Sequence, residues 1–229
     1  MIMTKKIVDR LQNEAKEFLT GRKLVLKGVT ILPKEIEVYY YNEKEGFTDK
    51  SVHGNELQQK NKNHFYVHRW GLKQTDPYKG GNRPGLDFVL SDEENIFYSY
   101  LIRSAVINGG ELVIGPNKVL KKIIEISGLE PADIEKAKVD LISDNKLDNV
   151  LFSERINLGE NAKDYISYKL RAVLCDEYYK GSKYPAKERM IVDFLLEKIK
   201  SGNVSKEEAK VYAKEKLGYI PTVIKEKCK

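Results

Sequence analysis

The sequence has no apolar run of the about 18 consecutive residues that a membrane-spanning helix requires. Its first segment, MIMTKKIVDRLQNEAKEF, interrupts every apolar run with charge and therefore lacks the apolar region of a signal peptide. Only two cysteines are present, Cys175 and Cys228, and neither has a neighbour at the spacing of a thiolate metal site or a disulfide framework. These absences predict a protein of the reducing cytoplasm with no membrane segment.

Histidine and tryptophan are also scarce, and the few that occur are concentrated in one stretch. These residues are His53, His64, His68 and Trp70. Just before them, EIEVYYY has the pattern of a strand, whose side chains point alternately to its two faces. Glu35, Glu37 and Tyr39 would share one face, predicted to line a cleft, while Ile36 and Val38 would face the core. A carboxylate among tyrosines, with imidazoles nearby, predicts an acid–base pocket for a flat ring.

The composition is that of a globular protein with a basic surface. With 229 residues, 41% hydrophobic and 32% charged, the chain is long enough to bury a sizeable core. Its formal net charge of +6 favours a polyanionic partner. A solvated, lysine-rich surface would give the same charge, so the charge alone leaves both interpretations open.

Hydrophobic periodicity and turn residues predict an α+β fold: a single domain with a curved, mainly antiparallel sheet flanked by helices. Helical spacing predicts a helix over residues 4–20, and Gly28 and Pro33 are expected to mark a turn and a break between the first strands. Alternating or β-branched runs predict the strands, which are residues 23–31, 35–41, 64–70, 86–91, 96–107, 111–115, 151–159 and 169–175. Residues 42–63 are predicted to be a long connection.

Helical patterns dominate the second half of the chain. Pro116 to Gly128 is predicted to be an amphipathic helix, with a short acidic helix after it. Pro185 to Gly202 is predicted to be another, and Ser205 with Glu208 predicts a capping box for a helix that ends near Gly218. We expect residues 1–180 to form the main α+β domain and residues 181–229 to be a helical C-terminal extension packed on it.

A series of short segments carries the strongest indication of function. In chain order they are AKEFLTGRKLVLKG, EIEVY, DKSVHG, FYVHRWG, LIRSA, GPNKVL, RINLG and KLRAV. Together, over roughly residues 15–175, they resemble the alkyladenine (3-methyladenine) DNA glycosylase family. The resemblance implies that residues 1–180 are glycosylase-like. It also implies a monomeric, monofunctional, metal-free and cofactor-free enzyme that excises alkylated or deaminated purines from double-stranded DNA, associated with the nucleoid in a prokaryote.

The resemblance also assigns roles to individual residues. Glu37 corresponds to the glutamate that activates the attacking water, and Arg103 to an arginine beside that water. Tyr39 and His53 correspond to residues that bind and stack on the extruded base. His68 stands where the family has a second stacking tyrosine, so it adds a titratable group to the expected pocket.

Further positions concern the DNA and the water. Trp70 lies near the family's wedge residue, and the carbonyl of Leu174 falls where the family has another ligand of the water. Lys73, Lys79 and Arg83, on a Gly/Pro-rich loop that is expected to be mobile, are expected to contact phosphates. The pocket asparagine of the family falls near Val89, and residues 71–86 resemble an insertion, so the purine selectivity is expected to differ.

These residue types suit N-glycosidic bond cleavage. The sugar gains oxocarbenium character, which a carboxylate stabilises while it orients and deprotonates water. A cationic damaged base leaves readily, whereas a neutral base needs a proton, which His53 or His68 would assist in supplying. Extruding a base costs a few kcal/mol, and stacking on aromatic side chains returns about 1–3 kcal/mol per base.

Simpler interpretations of the same residues exist. Glu37 on its own could be a solvated strand residue, and the tyrosines could be ordinary sheet residues. His53, His64 and His68 could ligate a metal, although the strand-like pattern around them is not that of a helical metal motif. Two other functions also stay open: a nucleic-acid-binding relative without catalysis, and a hydrolase of nucleosides or modified RNA that would need no wedge.

Overall fold

The computed structural model describes residues 2–144, 150–156, 158–159, 162–174 and 185–227. Cys175 and Cys228, for which no metal or disulfide role was predicted, lie outside the described residues. Of the helices in these ranges, none is long and apolar enough to cross a membrane.

Ten strands in the described ranges form one curled antiparallel sheet. They are β1 (Arg22–Leu26), β2 (Val29–Asn42), β3 (Phe47–Thr48), β4 (Phe65–Val67), β5 (Leu86–Val89), β6 (Ile96–Ile107), β7 (Leu112–Ile114), β8 (Asp140–Ser143), β9 (Val150–Ser153) and β10 (Arg171–Leu174). The main order is β4-β5-β6-β2-β1-β8, with β10 joining β2 to β9, β3 on β2, and β7 on β6. With helices on both sides of the sheet, the predicted α+β class is confirmed.

Helices cover the sheet, and the longer ones match the sequence prediction. They are α1 (Ile2–Gly21), α2 (Glu56–Lys60), α3 (Pro116–Ser127), α4 (Pro131–Lys136), α5 (Lys163–Ile166), α6 (Pro185–Lys200), α7 (Lys206–Leu217) and α8 (Thr222–Lys227). The predicted capping box of α7 is present, because Ser205 accepts from the Glu208 N–H and Glu208 accepts from the Ser205 N–H. The short helices α2, α5 and α8 and the strand β8 were not predicted.

The first hairpin is formed as expected, but the predicted break at Pro33 is wrong. Lys27 and Gly28 both have positive φ, 47° and 84°, as a tight two-residue hairpin turn requires. β2 then continues through Pro33, where its register against β6 shifts between Pro33 and Glu35. A bulge accommodates a residue that has no N–H to donate to the ladder. β2 therefore runs unbroken through the centre of the sheet, between β6 and β10.

The two faces of β2 differ from the prediction in one respect. Ile36 and Val38 lie in the main apolar core, as expected. Glu35 and Glu37, predicted to line an open cleft, are instead fully buried. Buried carboxylates require partners, so the surroundings of these two residues define the frame of the site.

Two predicted strands end early, and both ends matter for the site. β4 stops at Val67, so His68 and the residues after it leave the sheet. β9 stops at Ser153, which lets Arg155 and Ile156 turn in towards β2. Since main-chain groups beyond a strand end are released from the ladder, they become available to hold side chains.

The C-terminal helices pack on the sheet through an apolar cluster of their own. Leu151 of β9 and Val173 of β10 contribute the sheet side, and Ile191, Leu195 and Ala209 belong to the helix side. α6 contacts β9 directly. The helices therefore support β10, which pairs with β2, and β9, which pairs with β10.

Candidate active site

A cavity of about 310 Å³ opens beside the carboxyl-terminal half of β2. It is lined by Tyr39, Lys50, Ser51, His53, Gln58, His68, Lys79, Asp87, Leu158, Gly159 and Ala162. The three residues predicted to bind a base, from three separate segments, are thus brought together in one wall. The volume is within the range of small-molecule sites.

His53 forms a fixed, neutral part of this wall. Its ring stacks on that of Tyr66 with centroids 5.9 Å apart and an angle of 26°. Nδ1 of His53 is hydrogen-bonded to the hydroxyl of Tyr66, which itself accepts the Arg69 N–H at 3.2 Å. Burial, together with the charges of Lys79 and His68, lowers the pKa of His53 to about 4. His53 is therefore uncharged at neutral pH.

His68 is held differently, by a carboxylate. Its Nε2 donates to Oδ1 of Asp87 at 2.8 Å. The other oxygen, Oδ2, accepts from Gln58 Nε2 at 2.8 Å and from the Ser99 hydroxyl at 2.9 Å. Burial alone would raise the pKa of Asp87, which is only 1% exposed, but the charge of protonated His68 and these hydrogen bonds outweigh burial and lower it. Asp87 is thus an ionised, fully hydrogen-bonded anchor for His68.

Gly85 makes the position of His68 possible. A Cβ at residue 85 would lie 2.7 Å from Cε1 and 2.8 Å from Nδ1 of His68, closer than such contacts occur. The His68 N–H also donates to the carbonyl of Gly85 at 3.0 Å. Glycine at this position therefore lets the main chain pack against the edge of the His68 ring.

Glu37 lies behind the cavity wall and does not line it. Its Oε1 accepts the Ile156 N–H at 3.0 Å, and its Oε2 accepts the Tyr39 hydroxyl at 3.0 Å. Nη1 of Arg103 is 3.2 Å from Oε2. Burial and then the charge of Glu37 raise the pKa of Tyr39, so the phenol stays protonated and donates. The ring of Tyr39 therefore connects the buried carboxylate to the cavity.

Arg103 reaches both glutamates of β2. Its Nε donates to Oε1 of Glu35 at 3.1 Å, and Arg171 of β10 donates to the same oxygen at 2.6 Å. Arg171 is also the residue that pairs with Glu37 across the β10–β2 ladder. Glu35 and Glu37 thus belong to one buried charge network, in which Glu35 has two arginines and Glu37 also contacts the wall.

Leu174, near which a carbonyl ligand of the catalytic water is predicted, lies further along β10 than the partner of Glu37. Leu174 pairs with Val150 of β9 and lies three residues beyond Arg171, the partner of Glu37 in the ladder. The main-chain group that contacts Glu37 is the N–H of Ile156. A strand advances about 3.3 Å per residue, so the carbonyl of Leu174 is too far along β10 to meet a water at Glu37.

The three basic residues of the 71–86 loop have different surroundings. Lys79 lines the cavity, and its N–H donates to the His68 carbonyl at 2.9 Å, so it is a wall residue and not a surface cation. Burial is the main cause that lowers the pKa of Lys79. Lys73 and Arg83 are exposed. The Arg83 guanidinium lies 5.1 Å from the ring centroid of Trp70.

Trp70 is 52% exposed two positions beyond His68. The Trp70 N–H donates to the Pro77 carbonyl at 2.9 Å, which joins the two sides of the loop into a hairpin. Arg69 anchors this hairpin, because it donates to the Asp76 carbonyl at 2.7 Å and also bonds Glu135 of α4. The base of the predicted mobile loop is therefore tied to α4, next to the exposed Trp70.

The three histidines are not arranged as metal ligands. His53 and His68 are neighbours, with ring centroids 6.5 Å apart. Nδ1 of His64 is instead hydrogen-bonded to the Lys62 carbonyl at 2.9 Å. Across the ranges given above, no three His, Cys, Asp or Glu side chains are grouped to hold a metal ion.

Several wall residues were missed from the sequence. Gln58 comes from the unpredicted helix α2, and Leu158 and Gly159 from the segment after β9 that was assigned to a strand. Asp87 was counted only as part of an apolar strand, and Val89, the expected pocket position, is buried in a small apolar cluster instead. An acidic residue inside an apolar strand is the signal that would have identified Asp87.

The assignment of a function rests on this arrangement of side chains. Neither a scan against protein-family models nor a search of the curated proteins gives a match to this chain. What the site offers chemically is a cavity with one aromatic wall, two differently held imidazoles, and a buried carboxylate one residue layer away.

Proposed function

We propose that the protein is a monofunctional DNA glycosylase that extrudes damaged purines from double-stranded DNA and hydrolyses the N-glycosidic bond. The observation that carries the proposal is the convergence of Tyr39, His53 and His68 on one cavity, with Glu37 hydrogen-bonded to Tyr39. Glu37 and Tyr39 lie on β2, whereas His53 precedes α2 and His68 follows β4. The proposal needs no metal or cofactor and a single copy of the chain.

The cavity suits a flat, polar ring. Tyr39 supplies an aromatic surface, and the imidazoles of His53 and His68 supply two more planar groups. Stacking contributes about 1–3 kcal/mol per base and offsets the few kcal/mol of extrusion. Gln58 and Lys79 add hydrogen-bonding groups that a purine edge can meet.

Glu37 is the group that would activate water. Its Oε2 is bonded to the hydroxyl of Tyr39, and a base stacked on the Tyr39 ring would shift that hydroxyl and admit water to the carboxylate. Catalytic hydrogen bonds in a site without substrate often differ from those in the complex. The Ile156 N–H and Arg103 keep the carboxylate oriented meanwhile.

The surface beside the cavity suits duplex DNA. Trp70 is exposed next to His68 and can fill the gap that an extruded base leaves in the stack. Arg83 lies on the Trp70 ring, and Lys73 is exposed on the same loop, where both can contact phosphates. The net charge of +6 is in keeping with this partner.

One observation favours a second candidate, a DNA-binding relative without catalysis. Glu37 is fully buried, and both of its oxygens have protein partners, as in a purely structural ion pair. Such a protein would keep the stacking cavity and Trp70 and bind damaged duplexes without cleaving them.

Incubation with duplexes that contain hypoxanthine, ethenoadenine or 3-methyladenine, followed by alkaline cleavage, separates these candidates. We expect abasic sites with the wild-type protein and a loss of about 10²-fold or more with Glu37→Gln, which preserves the shape of the side chain. Equal cleavage by both proteins, or none by either, rejects the glycosylase. Tight binding without cleavage supports the second candidate, and release of bases only from free nucleosides or RNA points to a different hydrolase.

A further inference from the structure

We propose that His68 is the acid that protonates the departing base, and that Asp87 is the residue that positions it. This inference rests on the proposed function and adds to it a proton donor for bases that carry no positive charge. It follows from how the two imidazoles of the cavity are held. Both line the same wall, yet their hydrogen-bond partners differ in kind.

The two nitrogens of His68 are in unlike surroundings. Nε2 donates to the buried carboxylate of Asp87 at 2.8 Å. Nδ1 has no hydrogen bond to any of the residues described, and the ring lines the cavity. Gly85 packs beside the Cε1–Nδ1 edge, where a side chain would clash with the ring. An imidazole that is anchored through one nitrogen and open at the other can transfer a proton through the open one.

Both carboxylate oxygens of Asp87 are engaged. Its Oδ2 accepts from Gln58 and Ser99, and its Oδ1 accepts from His68. The carboxylate is almost completely buried, so its charge is poorly screened by water and acts on the imidazole next to it. This hydrogen bond fixes the orientation of the His68 ring.

Other charged and titratable groups face His68 from the neighbouring elements. His53 lies 6.5 Å away between ring centroids, and Tyr66 of β4 lies 5.6 Å away. Lys79 of the hairpin lines the same cavity and carries positive charge. Of these groups, His53 is bonded at Nδ1 to Tyr66 and is uncharged at neutral pH. Burial raises the pKa of Tyr66 and lowers that of Lys79. Asp87 supplies the negative charge next to His68.

The proton transfer can be written completely. The Nδ1 proton of the His68 imidazolium passes to a ring nitrogen of the base, and the bond from C1′ of the sugar to the base breaks with its electron pair going to the base. Water forms the new bond to C1′ and gives its proton to Glu37. His68 ends neutral and Glu37 protonated, and both exchange protons with solvent before the next turnover.

The test compares two bases in otherwise identical duplexes under single-turnover conditions. Hypoxanthine is neutral and needs the proton, whereas 7-methylguanine is already cationic and does not. With His68→Phe, which keeps a ring in the wall, we expect hypoxanthine excision to fall by about 10²-fold or more and 7-methylguanine excision by less than about threefold. Asp87→Asn should give the same selective loss, and His64→Phe, outside the cavity, should change neither rate.

The dependence on pH and chemical rescue exclude a merely structural role. The wild-type rate on hypoxanthine should fall as the pH rises, and this alkaline limb should disappear in His68→Phe and shift in Asp87→Asn. In His68→Ala, added imidazole should restore part of the hypoxanthine rate. Thermal unfolding of each variant identifies any that fails to fold.

Each result decides between distinct conclusions. Equal losses on both bases, an unchanged alkaline limb in His68→Phe, or no rescue by imidazole overturn the role of His68. If 7-methylguanine excision still depends on Glu37 in that case, the glycosylase function stands. If the wild-type protein excises neither base, both proposals fail together.

Discussion

The guanidinium of Arg155 lies 5.0 Å from the ring centroid of Tyr39 and forms an ion pair with Asp49 at 2.6 Å. It also donates to the Val38 carbonyl of β2 at 3.0 Å. The side chains of Arg155 and Asp49 are both completely buried. One arginine thus fixes the aromatic wall of the cavity to the strand that carries Glu37.

Removal of one partner of this pair should destabilise the protein strongly. We expect Asp49→Asn to lower the free energy of unfolding by about 3–5 kcal/mol, because it leaves the Arg155 charge buried without its counter-ion. Denaturant titration measures the change. Lys62→Ala is the matched control: it breaks an exposed pair with Asp92 and should cost less than about 1 kcal/mol. Equal effects of the two substitutions would contradict this assignment.

Substitution of Glu35 should lower stability, whereas substitution of Glu37 should lower activity. Glu35→Gln weakens the bonds to Arg103 and Arg171 and should lower the free energy of unfolding by about 3–5 kcal/mol, with excision per folded molecule largely kept. Glu37→Gln should abolish excision instead. Denaturation curves combined with single-turnover rates at low temperature measure both. The assignment of the water-activating role to Glu37 fails if Glu35→Gln is the variant that loses activity while folded.

Trp70 should matter for duplex DNA and not for folding. With half of its surface exposed, Trp70→Ala should leave the melting temperature unchanged, whereas binding to a damaged duplex should weaken by about 1–3 kcal/mol, the contribution of one stacking contact. Fluorescence anisotropy with labelled duplexes measures the affinity. Tyr219→Ala removes a similarly exposed aromatic side chain, 50% accessible, from the C-terminal region and should not change it. Identical affinities for wild type and Trp70→Ala would exclude the wedge.

Arg83 should contribute to DNA binding, and Lys79 should contribute to excision. Arg83→Ala should reduce the slope of log affinity against log salt by about 0.9, the value for one phosphate contact. Lys79→Ala should instead slow excision with little change in that slope, because Lys79 lines the cavity. Lys206→Ala, an exposed lysine at the start of α7, is the control for a change in net charge alone. A full unit lost from the slope in Lys79→Ala would return Lys79 to the phosphate contacts.

His53 should make the free energy of unfolding depend on pH. Its pKa falls from the ordinary 6.5 to about 4 on folding, so between these values the unfolded chain binds the proton that the folded protein excludes. Stability should therefore be highest above pH 6.5 and decline as the pH falls towards 4. Urea midpoints across this window measure the decline, which should be smaller in His53→Gln and unchanged in His64→Gln. A slope that survives in His53→Gln would show that other groups cause it.

Local sequence patterns predict most of the helices and strands but only part of the candidate site. Alternation located β2 and β6, and the Ser205–Glu208 capping box is decided by neighbouring residues alone. The resemblance selected Tyr39, His53 and His68 for the wall. Their meeting in one cavity depends on strand order, which no local pattern contains.

The failures have a common physical origin. Proline usually ends a strand, and the sequence does not reveal the bulge between β2 and β6 that lets β2 continue through Pro33. The sequence does not single out Asp87, because its role is to bind His68, which lies nineteen positions earlier in the chain. The contact of the Ile156 N–H with Glu37 likewise requires β9 to end where it does. Tertiary contacts, and not local preference, decide these positions.

From the packing of α6 on β9 we expect the C-terminal helices to have a remote influence on the proposed chemistry. Leu195 of α6 supports Leu151 of β9, and the chain that leaves β9 supplies the Ile156 N–H that orients Glu37. Substitutions in this helical region can therefore alter turnover without touching any residue of the cavity. A search for variants with changed rates should include α6. An altered apolar contact there would shift the Ile156 N–H and so change the orientation of the Glu37 carboxylate.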